Sequence, residues 1–205
     1  MTIPSIVSAM RRCEVIESET LLAAYRGGIF PMAINRRNEI GWFSPDPRAL
    51  IPLDGRFHTP HGVRRAIHKK SFAVTFDTQF EAVIRACATS HGETWISEEI
   101  IQSYCELHRR GHAHSVETRL GTELAGGLYG VHIGGAFFGE SMFHHLTDGS
   151  TVALVALVER LRARGFGLLD TQWMTPHLAR FGTFVVPKGE YLKLLGASLA
   201  TECKF

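Results

Sequence analysis

The run of residues 114–144 constrains the fold more than any other part of the chain. Stretches 114–120, 124–133 and 136–144 read as consecutive strands, since each is bounded by turn chemistry and rich in strand-forming residues. The Gly121-Thr122 and Gly134-Gly135 connections are too short for a crossover, so the three strands must pair as antiparallel hairpins. Eight of the chain's 20 glycines lie within 121–149, several of them inside these strands, where glycine costs entropy and packing. Singly, each reads as a bulge or tight turn. As a group they suggest a substrate lying close to the strand backbone.

Around this meander the pattern is mixed. Residues 72–76 alternate as a strand, and Asp77 and Thr78 stand where they can cap a helix carrying Phe80, Val83, Ile84 and Cys87. Ser97 can cap a second helix that presents Ile100, Ile101, Tyr104 and Leu107 on one side. A helix over 152–161, a strand over 166–172 and a helix over 191–199 complete the order. Three hairpin-linked strands followed by a crossover helix and another strand make a mixed α/β (α+β) sheet with helices packed on it. The first 70 residues differ. After a short helix over 18–26, with Ser18 as its cap, they hold Gly27-Gly28, Pro31, Pro45-Asp46-Pro47, Pro52, Asp54-Gly55 and Pro60. The chain therefore divides near residue 70, into a small irregular N-terminal part (1–70) and an α/β C-terminal domain (71–205).

A hydrophobic fraction of 45% and a charged fraction of 20% exclude a disordered chain. The longest aliphatic stretch, 152–158, is far below the roughly 18 residues that a membrane span needs. No apolar run of signal-peptide length follows Arg11-Arg12, and Cys13, Cys87, Cys105 and Cys203 are scattered without a CxxC pair. These features point to a reduced, cytoplasmic protein.

The net charge of +2 conceals a split. Residues 1–70 hold 11 basic and 6 acidic side chains, 11 − 6 = +5, and residues 71–205 hold 11 and 14, 11 − 14 = −3. Arg56, Arg64, Arg65, Lys69 and Lys70 concentrate the excess, with Arg65 and Lys69 an i, i+4 pair if 62–70 is helical. Such a face suits phosphate contacts. A solvated basic helix is the alternative.

Two carboxylates stand out on apolar strands. Glu140 follows Gly139 directly, and burying it is costly unless it is paired or has a task. It is either an outward-facing edge residue or a functional one. Asp170 and Gln172 are two apart, so on a strand they would share a face as a hydrogen-bonded pair able to orient an amine or relay its proton. The close histidine pairs His58/His61, His112/His114 and His144/His145 lack the helical His-x-x-x-His spacing of a metalloprotease, and there is no Cys-His cluster, so no metal site is expected. Neither a Gly-x-Ser-x-Gly elbow nor a Walker A loop is present.

Several segments together resemble one family. These are Ala24-Tyr-Arg-Gly-Gly-Ile-Phe-Pro31, Trp42-Phe-Ser-Pro-Asp-Pro-Arg48, Thr94-Trp-Ile96, Leu107-His-Arg-Arg-Gly-His-Ala-His-Ser-Val-Glu117, Gly126-Gly-Leu-Tyr-Gly130, Gly139-Glu-Ser-Met-Phe143 and Leu169-Asp-Thr-Gln172. They resemble leucyl/phenylalanyl-tRNA–protein transferases, and the likeness runs over almost the whole chain. The resemblance implies an acetyltransferase-like (GNAT-type) C-terminal domain without metal or nucleotide cofactor. It also implies transfer of Leu or Phe, with Met as a further donor, from aminoacyl-tRNA to the α-amine of proteins beginning with Arg or Lys, marking them for N-end rule degradation. Asp170 and Gln172 would then hold and deprotonate the amine, with Glu140 supporting them. Leu128, Phe137, Met142, Leu154, Leu157 and Leu169 would form the aminoacyl side-chain pocket. Trp95 and Met32 would sit near the terminal adenosine of the tRNA, and Arg64, Arg65, Lys69 and Lys70 would meet its phosphates. No membrane partner is implied, and the enzyme would act as a monomer.

Three departures from the family pattern bear on tRNA affinity. Met32 stands where Trp is usual, Pro60-His61-Gly62 replaces Ser-Arg-Ser, and 148–151 lacks the usual Lys. Two rivals are an acyl-CoA-dependent N-acetyltransferase, for which no pyrophosphate loop precedes residue 152, and a non-catalytic tRNA-binding module.

Overall fold

The expected meander forms the middle of a large sheet. The computed structural model describes residues 6–10, 15–34, 39–70, 72–90 and 94–205, with backbone alone for 6–10 and for residue 70. In chain order the elements begin β1 (Ile6–Met10), α1 (Ser18–Arg26), β2 (Phe30–Ala33), β3 (Ile40–Phe43), β4 (Arg48–Ile51), α2 (His61–Lys70), β5 (Ala73–Phe76) and α3 (Phe80–Thr89). They continue α4 (Glu98–Arg109), β6 (Ala113–Leu120), β7 (Glu123–Ile133), β8 (Ala136–His144) and α5 (Gly149–Ala163). The last are β9 (Leu168–Asp170), α6 (Pro176–Ala179), β10 (Phe184–Val186) and α7 (Lys188–Leu199).

Seven strands form the large sheet in the order β10-β4-β9-β8-β7-β6-β5, and β1-β3-β2 form a small one. The pairs of the large sheet are antiparallel except β8 with β9, which run parallel because α5 carries the chain across. Two apolar layers cover it. On one side α1, α3, α4 and the small sheet bury Leu21, Tyr25, Val83, Ile84, Ile100 and Tyr104. On the other, α2 and α5 bury Val63, Leu154, Leu157 and Leu161.

Four expectations need correction. The boundary near residue 70 cuts through the large sheet, since β4 lies between β10 and β9. Four residues amid turn signals are too few to show a strand period in sequence. The 166–172 strand shrinks to β9, because the backbone turns at Gln172 with φ of 59°. Asp77 caps no helix. At φ of 58° it turns back, so that its Oδ2 lies 2.8 Å from His114 Nδ1 and its Oδ1 accepts from Ser115 N at 2.9 Å. At α1, Glu17 is the N-cap and makes no side-chain cap bond, while Ser18 is the first helical residue. Ser97 does cap α4, accepting from Ile100 N at 3.3 Å.

The strand glycines make room mainly for the chain itself. A Cβ on Gly126 would meet Gly149 C and Ser150 N at 2.7 Å, where α5 begins, and one on Gly130 would strike the Phe137 ring at 2.4 Å. Only Gly139 of this group borders open space in the cavity described below, with Asp170 O at 3.5 Å as its sole close neighbour. Among the described residues no helix is long and apolar enough to cross a membrane. Cys87, Cys105 and Cys203 are free thiols, and Cys13 lies outside the described residues.

Candidate active site

Glu140 owes its position to a bulge. The β7–β8 register passes from Tyr129↔Ser141 to Gly130↔Gly139, leaving Glu140 as the extra residue, and a bulge re-aims the side chain it carries. Tyr25 Oη donates to Glu140 Oε1 at 2.7 Å. Tyr104 Oη lies 3.4 Å from Oε2 and bonds the Tyr25 hydroxyl, which accepts its single proton while donating its own to Glu140. Gln172 Nε2 donates to Oε1 at 3.3 Å. Burial is the largest influence and pushes the Glu140 carboxyl up to about 8, the nearby Asp170 charge adding to it, while the Tyr25 bond and Arg48 act against it. Burial and the Glu140 charge likewise raise the phenols of Tyr25 and Tyr104.

Asp170 sits at the end of β9 in a different setting. Arg48, from the neighbouring β4, grips it with Nε at 2.9 Å from Oδ1 and Nη2 at 2.7 Å from Oδ2. Both side chains are essentially sealed from solvent, at 1% and 0% exposed. Tyr191 Oη donates to Oδ2 at 2.7 Å, and the backbone N–H of Gln172 to Oδ1 at 2.9 Å. These donors occupy all the lone pairs that a carboxylate offers. The Arg48 guanidinium lies over the rings of Phe30 and Tyr191, at 5.0 and 4.5 Å, and donates to Gly28 O at 3.1 Å. Burial opposes its charge, but Asp170 more than offsets this and Arg48 is raised.

The expected side-by-side pair of Asp170 and Gln172 is therefore not formed. Gln172 leaves the strand, so its amide turns to Glu140 while Asp170 holds its backbone. Asp170 itself does not border the cavity.

That cavity, about 540 Å³, opens beside Glu140 and Gln172. Leu128, Met142, Leu154, Leu157 and Leu169 line it, and so do Trp95 and Met32. Phe137 does not. It is fully buried, its ring fills the space over Gly130, and it stacks on Phe205 with centroids 5.4 Å apart. It shares a strand face with Met142, but a position five residues earlier is already inside the core. Phe30 and Trp173 add an edge-to-face aromatic pair, centroids 5.2 Å apart, to the cavity wall. On α2, Arg64, Arg65 and Lys69 are exposed while Val63 and Ala66 point inward. The side chain of Lys70 lies outside the described residues.

Four participants were not legible as such. Arg48 and Tyr25 occur within recognisable motifs, yet nothing local marks them as partners of Asp170 and Glu140. Tyr104 and Tyr191 read as ordinary core positions of α4 and α7. The signal available was indirect, namely that two acids predicted on buried strands must find donors somewhere.

A carboxyl held by hydroxyls and an amide beside an apolar cavity is a setting in which a proton can be handled next to an apolar group. The leucyl/phenylalanyl-tRNA protein transferase family model matches residues 50–196, and the model of that family's N-terminal domain matches residues 16–46. The two meet at β4 rather than near residue 70. A leucyl/phenylalanyl-tRNA–protein transferase of Akkermansia muciniphila is 56% identical over 186 residues, covering 90% of this chain and 96% of that one. Those of Herpetosiphon aurantiacus and Gloeobacter violaceus are 50% identical over 190 residues and 51% over 187, covering 93% and 91% of this chain and 98% and 96% of theirs. The chain belongs to this family of aminoacyltransferases. Among solved structures, that of L-PGS from Bacillus licheniformis aligns with a TM-score of 0.41 and 12% identity, over 80% of this chain and 55% of that one.

Proposed function

We propose that this chain moves Leu or Phe, with Met as a third donor, from aminoacyl-tRNA to the α-amine of proteins beginning with Arg or Lys, marking them for N-end rule degradation. The observation that carries this reading is an apolar cavity whose polar end is Glu140 and Gln172. The aminoacyl side chain enters between Leu128, Met142, Leu154, Leu157 and Leu169, and straight side chains fit such a slot by a margin of a few kcal/mol at most. Trp95, with Met32 beside it, offers a stacking face for the terminal adenosine, worth about 1–3 kcal/mol. The exposed cations of α2 meet tRNA phosphates. The parallel β8–β9 pair, whose register ends at Phe138↔Asp170, supports an acetyltransferase-like arrangement in which the acyl group lies where the strands part.

The aminoacyl ester is already activated, so the protein's work is alignment and proton handling. Gln172 Nε2 is committed to Glu140, which leaves Oε1 to accept a hydrogen bond from the incoming amine. Asp170 acts through Gln172, fixing the backbone turn that aims this amide. Glu140 takes the proton, because its carboxyl borders the cavity whereas that of Asp170 is fully engaged. A carboxyl near 8 facing an α-amine whose ordinary value is also about 8 exchanges a proton at little cost. The amine nitrogen then bonds to the ester carbon, the carbonyl π pair moves to its oxygen, and collapse breaks the bond to the ribose oxygen. That oxygen leaves with the proton Glu140 had taken, and the surplus proton on the new amide nitrogen passes to the freed Glu140 carboxylate and from there to water. The enzyme works in the cytoplasm, where charged tRNA is found, and as a monomer.

The test is transfer of labelled Leu or Phe from charged tRNA to a peptide beginning with Arg. We expect transfer without acetyl-CoA. Binding of tRNA without transfer overturns the catalytic reading in favour of a binding module, and thiol release from acetyl-CoA overturns it in favour of an N-acetyltransferase.

A further inference from the structure

His177 is left unused by this mechanism, although it lines the same cavity. It sits on α6, whose start is fixed by Thr175 Oγ1 accepting from Leu178 N at 3.2 Å. Arg180 Nη2 lies 3.0 Å from His177 Nδ1. A guanidinium can only donate, so Nδ1 must be the acceptor and the ring proton resides on Nε2. Burial first, then the charge of Arg180, lowers the imidazole and keeps it neutral. Its Nε2 is buried and has no partner among the described residues. A buried N–H without an acceptor is costly, and few native groups are left so unless a ligand completes them. The Phe181 ring, 5.8 Å away, packs against the imidazole.

The chemistry of the cavity selects the acceptor. Leu178, beside His177, packs with the cluster that holds Leu128, Leu154, Leu157 and Leu169, while Thr175 and His144 also line the cavity. The aminoacyl amine is itself a donor. The oxygen that follows an apolar side chain into such a pocket is that of the ester carbonyl, three bonds from Cβ through Cα and the carbonyl carbon.

We propose that His177 Nε2–H donates a hydrogen bond to the carbonyl oxygen of the bound aminoacyl ester, and to the oxyanion that oxygen becomes when the amine adds. No proton is transferred. The π pair shifts onto the oxygen under a fixed neutral donor, and returns when the bond to the ribose oxygen breaks. A donor that strengthens as charge develops lowers the barrier more than it tightens substrate binding. This inference rests on the transfer function proposed above.

Two measurements test it. In the transfer assay, His177→Leu should lower kcat about 100-fold with KM for charged tRNA within threefold, as loss of a single oxyanion donor does. His177→Gln, whose Nε2 can reach a similar point, should recover at least tenfold of this. A kcat within threefold of wild type, or a rise in KM alone, overturns the assignment. Wild-type protein without transfer would instead overturn the function itself. Independently of turnover, protein labelled with 15N-histidine can be titrated with a stable 3′-aminoacylamido-adenosine. The His177 Nε2–H proton should move downfield on binding, and an unmoved resonance overturns the proposal even if the Leu variant fails to fold.

Discussion

Two carboxylates lie on neighbouring strands, Glu140 at a bulge within β8 and Asp170 at the end of β9, and they differ in every respect that matters for chemistry. Asp170 meets a full cation, a phenol and a backbone N–H, and has no lone pair to spare. Glu140 meets two phenols and an amide, has no cation in contact among the described residues, and borders the cavity. The first arrangement ties the side chain into the scaffold and organises structure. The second makes a carboxyl whose proton is loosely held near neutral pH. The shared carboxyl group does not separate the two; partners and access to the cavity do.

The comparison breaks most visibly at Asp170. Asp170→Asn leaves Arg48 as a buried cation without its counter-charge, and removing one member of such a pair costs about 3–5 kcal/mol. We expect a large loss of thermal stability measured by calorimetry, with activity falling alongside it. A stable but inactive variant would mean that Asp170 acts on the substrate after all.

Glu140→Gln should do the opposite. The amide still fits among Tyr25, Tyr104 and Gln172 but takes up no proton, so kcat should fall about 100-fold with the fold intact. Wild-type kcat should rise with pH towards about 8, as Glu140 ionises, and this limb should vanish in the variant. Stability has the reverse dependence. Between the ordinary value of about 4.3 and the folded value of about 8, the folded protein holds a proton that the unfolded chain has lost. Stability therefore declines across that window and levels off above it. A melting profile in which the variant declines as steeply as wild type would place the titrating group elsewhere.

The smallest effect is expected far from both acids. Replacing Arg64, Arg65 and Lys69 by Ala should weaken tRNA binding about tenfold at low salt and flatten the log–log salt slope by about 2 to 3. Transfer at saturating tRNA should hold. An unchanged slope would show that the phosphates are met by other cations.

Much of the scaffold was readable along the chain because it is local. The meander, the helix over 152–161 and the Ser97 cap follow from periods and turn residues within a dozen positions. The candidate lining came from the family resemblance, and of it Leu128, Met142, Leu154, Leu157 and Leu169 border the cavity. For Phe137 the resemblance misled, since residues of one strand face look alike in sequence whether they reach a cavity or stop in the core. The glycines misled in the same way, because a missing side chain does not say whether a ligand or another strand fills the gap.

The sequence by itself determined the order of elements, the family and the pair of acids worth watching. Only the tertiary structure decided what those acids are. Arg48 reaches Asp170 across 122 residues, and Tyr25 reaches Glu140 across 115. A carboxyl's proton affinity is set by burial and by the few groups within hydrogen-bonding distance. No local pattern records which distant strand or helix supplies them. The same holds for the free N–H of His177, which is visible only once Arg180 has taken the other nitrogen and the wall around it has closed.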